Sequence, residues 1–248
     1  MKLAFSKPTR TDEDTHLLMT RFRDVGYDGL QLKAGQYAAY LGEPERFLMD
    51  WGRQKGTASG LIAGMADGGS VGELRRVFAF GRVVGAELVV LCFGLSREGQ
   101  AADRLREHAR LLSLMGLEAQ DFGLRLSLHN HVGHPVMTRE DLEVFFEAVA
   151  EGSLGLTVDT AHLVKSGVED VAGVIRDFAP FIDNFHLKDY ADGEWKMLGT
   201  GSIDFEPIFA AIAEIGYGGW LSTDEESDAP LLPAMEHCLA FMRAHMGE

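Results

Sequence analysis

The chain has 248 residues, of which 46% are hydrophobic and 25% are charged. This composition is typical of a globular protein with a sizeable core, and the length suits a single domain spanning residues 1–248. The formal net charge of -15 argues against a nucleic-acid partner, because proteins that bind nucleic acids normally carry a basic face.

The sequence carries no evident targeting signal. Its N-terminal apolar stretch gives way to polar residues by Thr9, which is too short for the core of a signal peptide. No apolar run approaches the roughly 20 residues needed to span a bilayer. Cys92 and Cys238 lack metal-type spacing and are expected to be buried free thiols. We therefore expect a cytoplasmic protein with no membrane partner.

Apolar periodicity predicts strands and helices in alternation along the chain. In chain order the predicted elements are strand Leu3 to Ser6, a helix beginning at Thr11, strand Leu30 to Lys33, a helical segment from Tyr37 to Gln54, strand Ala58 to Ala63, helix Val71 to Val84, strand Glu87 to Cys92, helix Gln100 to Phe122, strand Leu124 to His129, helix Thr138 to Ala150, strand Gly155 to Asp159, helix Val168 to Phe178, strand Asn184 to Lys188, a helix beginning near Asp204, strand Trp220 to Asp224 and helix Leu231 to His245. Eight strands alternating with helices predict the α/β class and a single (β/α)8 TIM barrel. A doubly wound open sheet is the main rival, but no glycine-rich dinucleotide loop follows the first strand.

Four of the predicted strands share one design, which the stretch from Asn184 to Lys188 shows most clearly. Side chains alternate between the two faces of a strand, so Asn184, His186 and Lys188 share one face while Phe185 and Leu187 share the other. The strands ending at His129, Asp159 and Asp224 repeat this pattern, with the reactive side chain at the C-terminal end. A (β/α)8 barrel builds its active site at that end.

Imidazole and carboxylate side chains at these strand ends predict a metal site. The candidate ligands are His129, Asp159, His186 and Asp224. A mixed nitrogen and oxygen donor set suits Mn, Co, Zn, Fe or Ni better than Ca. The expected cofactor is a divalent metal, one of these or Mg. Such a metal would hold adjacent oxygens of a sugar or hydroxyketone and stabilise an enediolate.

Four motifs, in this order along the chain, carry a resemblance to a known family. They are Asp159-Thr160-Ala161-His162, His186-Leu187-Lys188-Asp189, the stretch from Gly199 to Phe205, and Gly216-Tyr217-Gly218-Gly219-Trp220. Together they resemble the xylose isomerase-like barrel superfamily. That family includes sugar-phosphate isomerases and epimerases, inosose isomerases and dehydratases, and the endonuclease IV relatives.

The resemblance implies metal ligands on strands five to eight, in the order Glu, Asp, His and Glu. Asp159 and His186 match this pattern, whereas His129 and Asp224 stand where glutamate is usual. Both replacements can bind metal, but they argue against the paired-glutamate mechanism of the family's epimerases. Proton transfer is therefore assigned to Lys188, His131 and Glu226, and substrate binding to His162, Trp195 and Gln31. Lys33 shares a strand face with Gln31 and is a further candidate for binding substrate hydroxyls.

Simpler interpretations of several candidates stay open. His131 and His134 could be structural histidines, and Glu225 or Glu226 could replace Asp224 as a ligand if the strand register were shifted. The alternative roles of the remaining residues are an ion pair of Lys188 with Asp189 or Asp159, packing for Trp195, and a turn instead of a phosphate loop for Gly199-Thr200-Gly201.

The leading hypothesis is a metal-dependent isomerase or epimerase acting on a sugar, a sugar phosphate or a cyclitol ketone. An inosose-type dehydratase or lyase shares the same first step. A DNA-repair endonuclease would need more ligands and a basic groove, and a non-catalytic carbohydrate-binding barrel is the remaining alternative. A small carbohydrate is the expected partner, and relatives in this family often form homo-oligomers.

Overall fold

A closed barrel of eight parallel strands forms the centre of the computed structural model, which describes residues 1–52, 54–65 and 70–247. The barrel strands are β1 Lys2–Ser6, β2 Gly29–Leu32, β3 Gly60–Gly64, β4 Leu88–Cys92, β5 Arg125–His129, β6 Gly155–Asp159, β7 Ile182–Leu187 and β10 Trp220–Asp224. Two further short strands, β8 Asp189–Ala191 and β9 Glu194–Lys196, lie outside the barrel. Around the barrel the order is β1, β10, β7, β6, β5, β4, β3, β2, and β8 pairs with β9 in a separate antiparallel hairpin. The predicted α/β class and (β/α)8 barrel are confirmed.

Helices follow the barrel strands and cover the outside of the barrel. They are α1 Asp12–Val25, α2 Ala34–Tyr37, α3 Pro44–Trp51, α4 Val71–Val84, α5 Ala102–Asp121, α6 Arg139–Phe146, α7 Thr160–Lys165, α8 Val171–Asp177, α9 Glu206–Glu214 and α10 Leu231–Met246. Among the described residues, no helix combines the length and the apolar character needed to cross a bilayer.

Side-chain caps place two of these helix starts where the sequence predicts them. The Thr11 hydroxyl accepts a hydrogen bond from the backbone N–H of Asp14, and Thr138 does the same for Asp141. Each cap satisfies a backbone donor that has no partner inside the helix. Pro207 lies in the first turn of α9, where a missing N–H costs nothing.

The two faces of the strands pack against different surroundings. Residues such as Phe185, Leu187 and Val158 belong to the large core between the barrel and the helices. Ile62, Leu88 and Val90 form a separate small apolar cluster. The alternate positions of β5, β6, β7 and β10 carry the buried polar side chains instead. The predicted alternation of polar and apolar faces is confirmed, and it brings polar groups together at one end of the barrel.

Three segments differ from the prediction. The segment from Tyr37 to Gln54 is not one helix but a 3-10 turn at Ala38–Tyr40 followed by α3, and its residue 53 lies outside the described residues. Pro44 fits the first turn of a helix, so α3 begins there as a separate helix. The short helix α7 and the β8 and β9 hairpin were not predicted, and both lie beside the polar end of the barrel.

Candidate functional site

The candidate ligands lie at the C-terminal end of the barrel. His129, Asp159 and Asp224 are the last residues of β5, β6 and β10, and His186 is the next-to-last residue of β7. Asp159 is directly opposite His186 in the ladder between β6 and β7. Parallel strands end at the same edge of the sheet, so the four side chains converge over the barrel axis.

Three of these side chains form a compact buried group. His129, Asp159 and His186 each offer one donor atom, and these atoms lie within 4.8 Å of one another. His129 Nε2 is 3.3 Å from Asp159 Oδ2. The group combines two imidazoles with one carboxylate, which is a donor set that divalent transition metals favour.

His186 is oriented by an amide behind it. Its Nε2 donates a hydrogen bond to Oε1 of Gln31 at 2.8 Å, so Nδ1 keeps its lone pair. Within residues 1–52, 54–65 and 70–247, this buried Nδ1 has no hydrogen-bond partner. A metal-ligating histidine commonly donates its other N–H in this way. His186 Nδ1 therefore fits a divalent metal.

The two ends of the Gln31 amide are already in use. Its Nε2 donates to Oδ1 of Asn184 at 2.8 Å, and its Oε1 accepts from His186. Gln31 is only 1% exposed. These contacts favour a role in orienting His186, and the predicted contact of Gln31 with substrate stays a prediction.

The charges of the three-residue group follow from its burial and its neighbours. Burial alone would raise the pKa of Asp159, but His162, His129 and Lys188 hold it well below its usual range. Burial opposes the charged form of His129, yet Cys92 and Asp159 raise its pKa to about 10. For His186, burial lowers the pKa to about 3, so its ring is neutral at physiological pH.

Asp224 has a different set of neighbours. Its Oδ1 lies 2.6 Å from Nζ of Lys33 and its Oδ2 lies 3.3 Å from Nζ of Lys188. His186 Nδ1 is further away, at 3.9 Å from Oδ2. Asp224 is not part of the three-residue group that brings donor atoms within 4.8 Å.

Glu226 completes this cluster of charges at the rim of the site. Its carboxylate contacts Nζ of Lys33 at 2.8 Å and also pairs with Nζ of Lys188. Burial and Asp224 would raise the pKa of Glu226, but the two lysines outweigh them and lower it. The alternative in which Lys188 pairs with Asp159 or Asp189 is wrong, because its ammonium group bridges Asp224 and Glu226 instead.

The register of β10 excludes Glu225 from the site. Its carboxylate lies 3.3 Å from Nζ of Lys7 and accepts a hydrogen bond from the backbone N–H of Ser227 at 2.7 Å. Asp224 is on the opposite face, toward the barrel interior. The shifted-register alternative with Glu225 as a ligand is therefore wrong.

His131, His134 and His162 form a stack at one side of the site. The ring of His131 lies 4.0 Å from that of His134 and 3.8 Å from that of His162. His131 Nδ1 donates to the carbonyl of Val132, and burial together with His129 and His134 lowers its pKa to about 4. His131 is thus a neutral ring with a weakly basic nitrogen.

Trp195, on the β8 and β9 hairpin, covers the site from above. Its indole lies 4.7 Å from the ring of His162 and 4.4 Å from Nζ of Lys188. Lys165 lies over the same indole at 4.2 Å. The structure therefore places Trp195 against two predicted site residues.

The glycine-rich stretch after the hairpin is a turn held by Asp189. The Asp189 carboxylate accepts hydrogen bonds from the backbone N–H groups of Gly199 at 3.0 Å, Gly201 at 2.8 Å and Ile203 at 3.3 Å. These donors are therefore satisfied within the protein. The contacts support the turn interpretation over a phosphate loop.

Cys92 was expected to be a buried free thiol without a site role but is a half-buried free thiol, and Lys33 was given only a secondary role. Cys92 ends β4 opposite His129, and its sulfur lies 3.7 Å from His129 Nδ1. The position of Cys92 at a strand end was the available signal. The pairing of Lys33 with Asp224 joins β2 to β10 and has no local signal in the sequence.

Comparisons with known proteins agree with this architecture. Inosose dehydratases from Clostridium botulinum and Lacticaseibacillus casei are each 31% identical over 147 residues, covering 52% of this chain and 49% of theirs. The chain thus spans about half the length of the curated relatives it matches. A crystal structure of IOLI protein with a binding zinc atom superposes with a TM-score of 0.81 at 16% identity, covering 100% of this chain and 98% of that one.

A second solved structure, that of L-ribulose 3-epimerase, gives a TM-score of 0.79 at 20% identity, covering 99% of this chain and 94% of the other. Identities this low show the fold alone. The family model described as xylose isomerase-like TIM barrel matches residues 67–245, which is well over half of the chain. The resemblance seen in the sequence motifs is confirmed, and the chain belongs to the xylose isomerase-like TIM barrel family.

Proposed function

We propose that this protein is a divalent-metal-dependent isomerase or epimerase of a sugar, a sugar phosphate or a cyclitol ketone. The observation that carries the proposal is the buried group of His129, Asp159 and His186, with Lys188 and Glu226 beside it at the C-terminal end of the barrel. Family membership supports the same class of sugar-modifying chemistry.

His129, Asp159 and His186 would hold the metal. When bound, a divalent ion supplies a Lewis acid that polarises a carbonyl and a neighbouring hydroxyl of the substrate. The protein contributes the neutral imidazole of His186, the ionised carboxylate of Asp159, and the imidazole of His129, whose pKa of about 10 means that metal binding would displace its proton. Gln31 keeps Nδ1 of His186 available by accepting the hydrogen bond from Nε2.

Proton transfer is assigned to Glu226 and Lys188. Glu226 is ionised at neutral pH because two lysines lower its pKa, and its side chain is 30% exposed at the rim. It can therefore act as a base for a proton next to a substrate carbonyl. The Lys188 side chain is 1% exposed, and although burial opposes its charge, Asp224, Asp159 and Glu226 raise its pKa. Its ammonium group would stabilise an enediolate oxygen.

Binding of the substrate is assigned to the covering groups. Trp195 would pack over the sugar ring, and His162 would contact it from the side of β6. His131 is held as a further candidate for proton transfer, although its lowered pKa makes it a weak base. A cytoplasmic location, a single domain and a homo-oligomer stay predictions.

Dehydration is the second candidate reaction. The same enediolate could expel a hydroxyl group from the next carbon, with the Lys188 ammonium donating the proton to the leaving oxygen. The curated relatives named inosose dehydratase favour this reaction. In addition, the groups assigned to proton transfer are one glutamate, Glu226, and one lysine, Lys188, where a two-base epimerase would place two glutamates.

Proton exchange in heavy water tests the proposal. The metal-loaded protein is incubated with ketoses and inososes, and deuterium at carbon is followed by NMR while loss of water is followed by mass spectrometry. Exchange with an isomeric product supports the isomerase, and exchange with a product lighter by one water supports the dehydratase. Substrate binding without exchange would contradict both and indicate a non-catalytic carbohydrate-binding barrel. Glu226→Gln removes the proposed base and is expected to abolish exchange.

A further inference from the structure

The carboxylate of Asp224, the last residue of β10, is enclosed by ammonium groups. Asp224 is 3% exposed, with Nζ of Lys33 at 2.6 Å from Oδ1 and Nζ of Lys188 at 3.3 Å from Oδ2. A buried lysine needs a counter-ion, since an unpaired charge inside a protein is strongly destabilising. Asp224 supplies that counter-ion to two lysines at once.

Lys33 is held in this position by its own surroundings. It immediately follows β2, its backbone N–H donates to Oε1 of Gln36 at 2.9 Å, and its side chain is 18% exposed. Nζ of Lys33 also reaches Glu226 at 2.8 Å. Lys33, Lys188, Asp224 and Glu226 therefore form a closed group with two positive and two negative charges, called here the ion quartet.

The ion quartet borders the metal-type donors, with Asp224 Oδ2 at 3.9 Å from His186 Nδ1, but its members do not belong to the three-residue donor group. His129, Asp159 and His186 bring their donor atoms within 4.8 Å of one another without Asp224. A divalent cation that also used Asp224 would have to approach two ammonium groups that contact the same carboxylate. Like charges at such short range repel strongly in a buried site.

We propose that the metal is held by three side chains, His129, Asp159 and His186, and that Asp224 is the shared counter-ion of Lys33 and Lys188 instead of a fourth ligand. This inference rests on the metal-dependent function proposed above. It makes Lys33 a positioning residue, because it fixes Asp224 and through it Lys188. Three protein ligands leave coordination positions for substrate oxygens or water.

A charge-matched pair of variants separates a ligand from a counter-ion. Asp224→Asn removes one negative charge, whereas the double variant Lys33→Met with Asp224→Asn removes one charge of each sign. Co²⁺ is titrated into the metal-free full-length protein, and both its affinity and its visible absorption spectrum are recorded. Asp159→Asn serves as the variant that loses a true ligand, and circular dichroism checks that each variant is folded.

The expected result is that Asp224→Asn weakens Co²⁺ binding by roughly tenfold, because two lysines are left undercompensated. The double variant is expected to return to within about threefold of the unmodified protein, with the same absorption bands. A loss of roughly 100-fold or more in the double variant, similar to that in Asp159→Asn, would overturn the inference.

A second measurement needs no metal. Denaturant unfolding of the metal-free protein, Lys33→Met, Asp224→Asn and the double variant gives a double-mutant cycle. The unfolding constant of the double variant is expected to depart from the product of the single effects by about fivefold or more. If the effects of Lys33→Met and Asp224→Asn on the unfolding constant simply multiply, the proposed ion pair between Lys33 and Asp224 is overturned. If the unmodified protein binds no Co²⁺, the proposed function and the three-ligand site both fail, while the cycle still decides whether Asp224 is the counter-ion of Lys33.

Discussion

Nε2 of His186 donates a hydrogen bond to Oε1 of Gln31 at 2.8 Å across the interior of the barrel. This contact fixes the ring of His186 and leaves its Nδ1 available as a metal ligand. We expect Gln31→Leu to weaken metal binding by about 10- to 100-fold, as is typical when the partner of a ligating histidine is removed. Isothermal titration with Zn²⁺ or Mn²⁺ measures this effect.

Gln120→Leu is the control for this prediction. Gln120 lies on the outer surface and donates to the carbonyl of Gly152, away from the site. Its substitution should leave the metal affinity unchanged. Equal affinities in Gln31→Leu and the unmodified protein would show that the orientation of His186 does not depend on Gln31.

The ammonium group of Lys188 is expected to matter for chemistry. Lys188→Met should lower kcat by about 10²- to 10⁴-fold, because it removes the proposed acid beside Glu226. Lys165→Met is the matched control, since Lys165 lies over the same Trp195 indole but on the outer side of the site. Equal losses in both variants would assign the effect to the indole contact instead of proton transfer.

The turn held by Asp189 should tolerate no side chain at Gly201. A Cβ added at Gly201 would run into the Asp189 carboxylate, which is itself fixed by backbone N–H groups. Gly201→Ala is expected to lower the free energy of unfolding by about 1 to 3 kcal/mol. Gly218→Ala, where a Cβ meets nothing within 4 Å, should change it by about 0.5 kcal/mol or less. Urea denaturation compares the two variants, and similar effects would contradict the role of Asp189 in holding this turn.

Asp183 predicts a pH dependence of stability. Burial raises its pKa to about 6, with Ser127 and Arg125 offsetting part of the effect. Between about pH 4 and pH 6 the folded protein keeps this proton while the unfolded chain has lost it, so the contribution of Asp183 to the free energy of unfolding falls as pH rises. The neutral rings of His131 and His186 contribute a rise over the same range, because the unfolded chain binds protons that they do not. The fall contributed by Asp183 is roughly 2 to 3 kcal/mol and levels off above its folded pKa.

Urea unfolding of the metal-free protein between about pH 4 and pH 8 measures this dependence. Asp183→Asn should remove this contribution, because the amide does not titrate, and the difference between the two profiles isolates it from the contribution of the histidines. Asp103→Asn, at a side chain that is 95% exposed, should keep the profile of the unmodified protein. A profile that is unchanged in Asp183→Asn would contradict the raised pKa.

Much of the barrel could be predicted because its signals are local. Alternating faces define β5, β6, β7 and β10, and side-chain caps such as Thr11 and Thr138 mark helix starts. Helix α7 was not predicted because it begins directly at the end of β6. Asp159, a candidate ligand, is also the N-cap of α7 and accepts a hydrogen bond from the backbone N–H of His162. A short helix without a preceding loop has little periodicity of its own.

The candidate site likewise has features that the sequence predicts and features that it does not. His129, Asp159 and His186 were predicted to converge because each ends or nearly ends a strand. The partners of Asp224 could not be read from the sequence, since Lys33 is distant in the chain and its ion pair depends on how the barrel closes. The orientation of Gln31 toward His186 likewise follows from the packing of β2 against the barrel interior.

Bound metal is the most direct test of the central claim that His129, Asp159 and His186 form a metal centre. Elemental analysis after reconstitution compares the unmodified protein with His129→Ala, His186→Ala and the surface control His16→Ala. We predict close to one equivalent of metal in the unmodified protein and in His16→Ala, and its loss in both site variants. Metal that persists in His129→Ala or His186→Ala, or that is absent from the reconstituted unmodified protein, would contradict it.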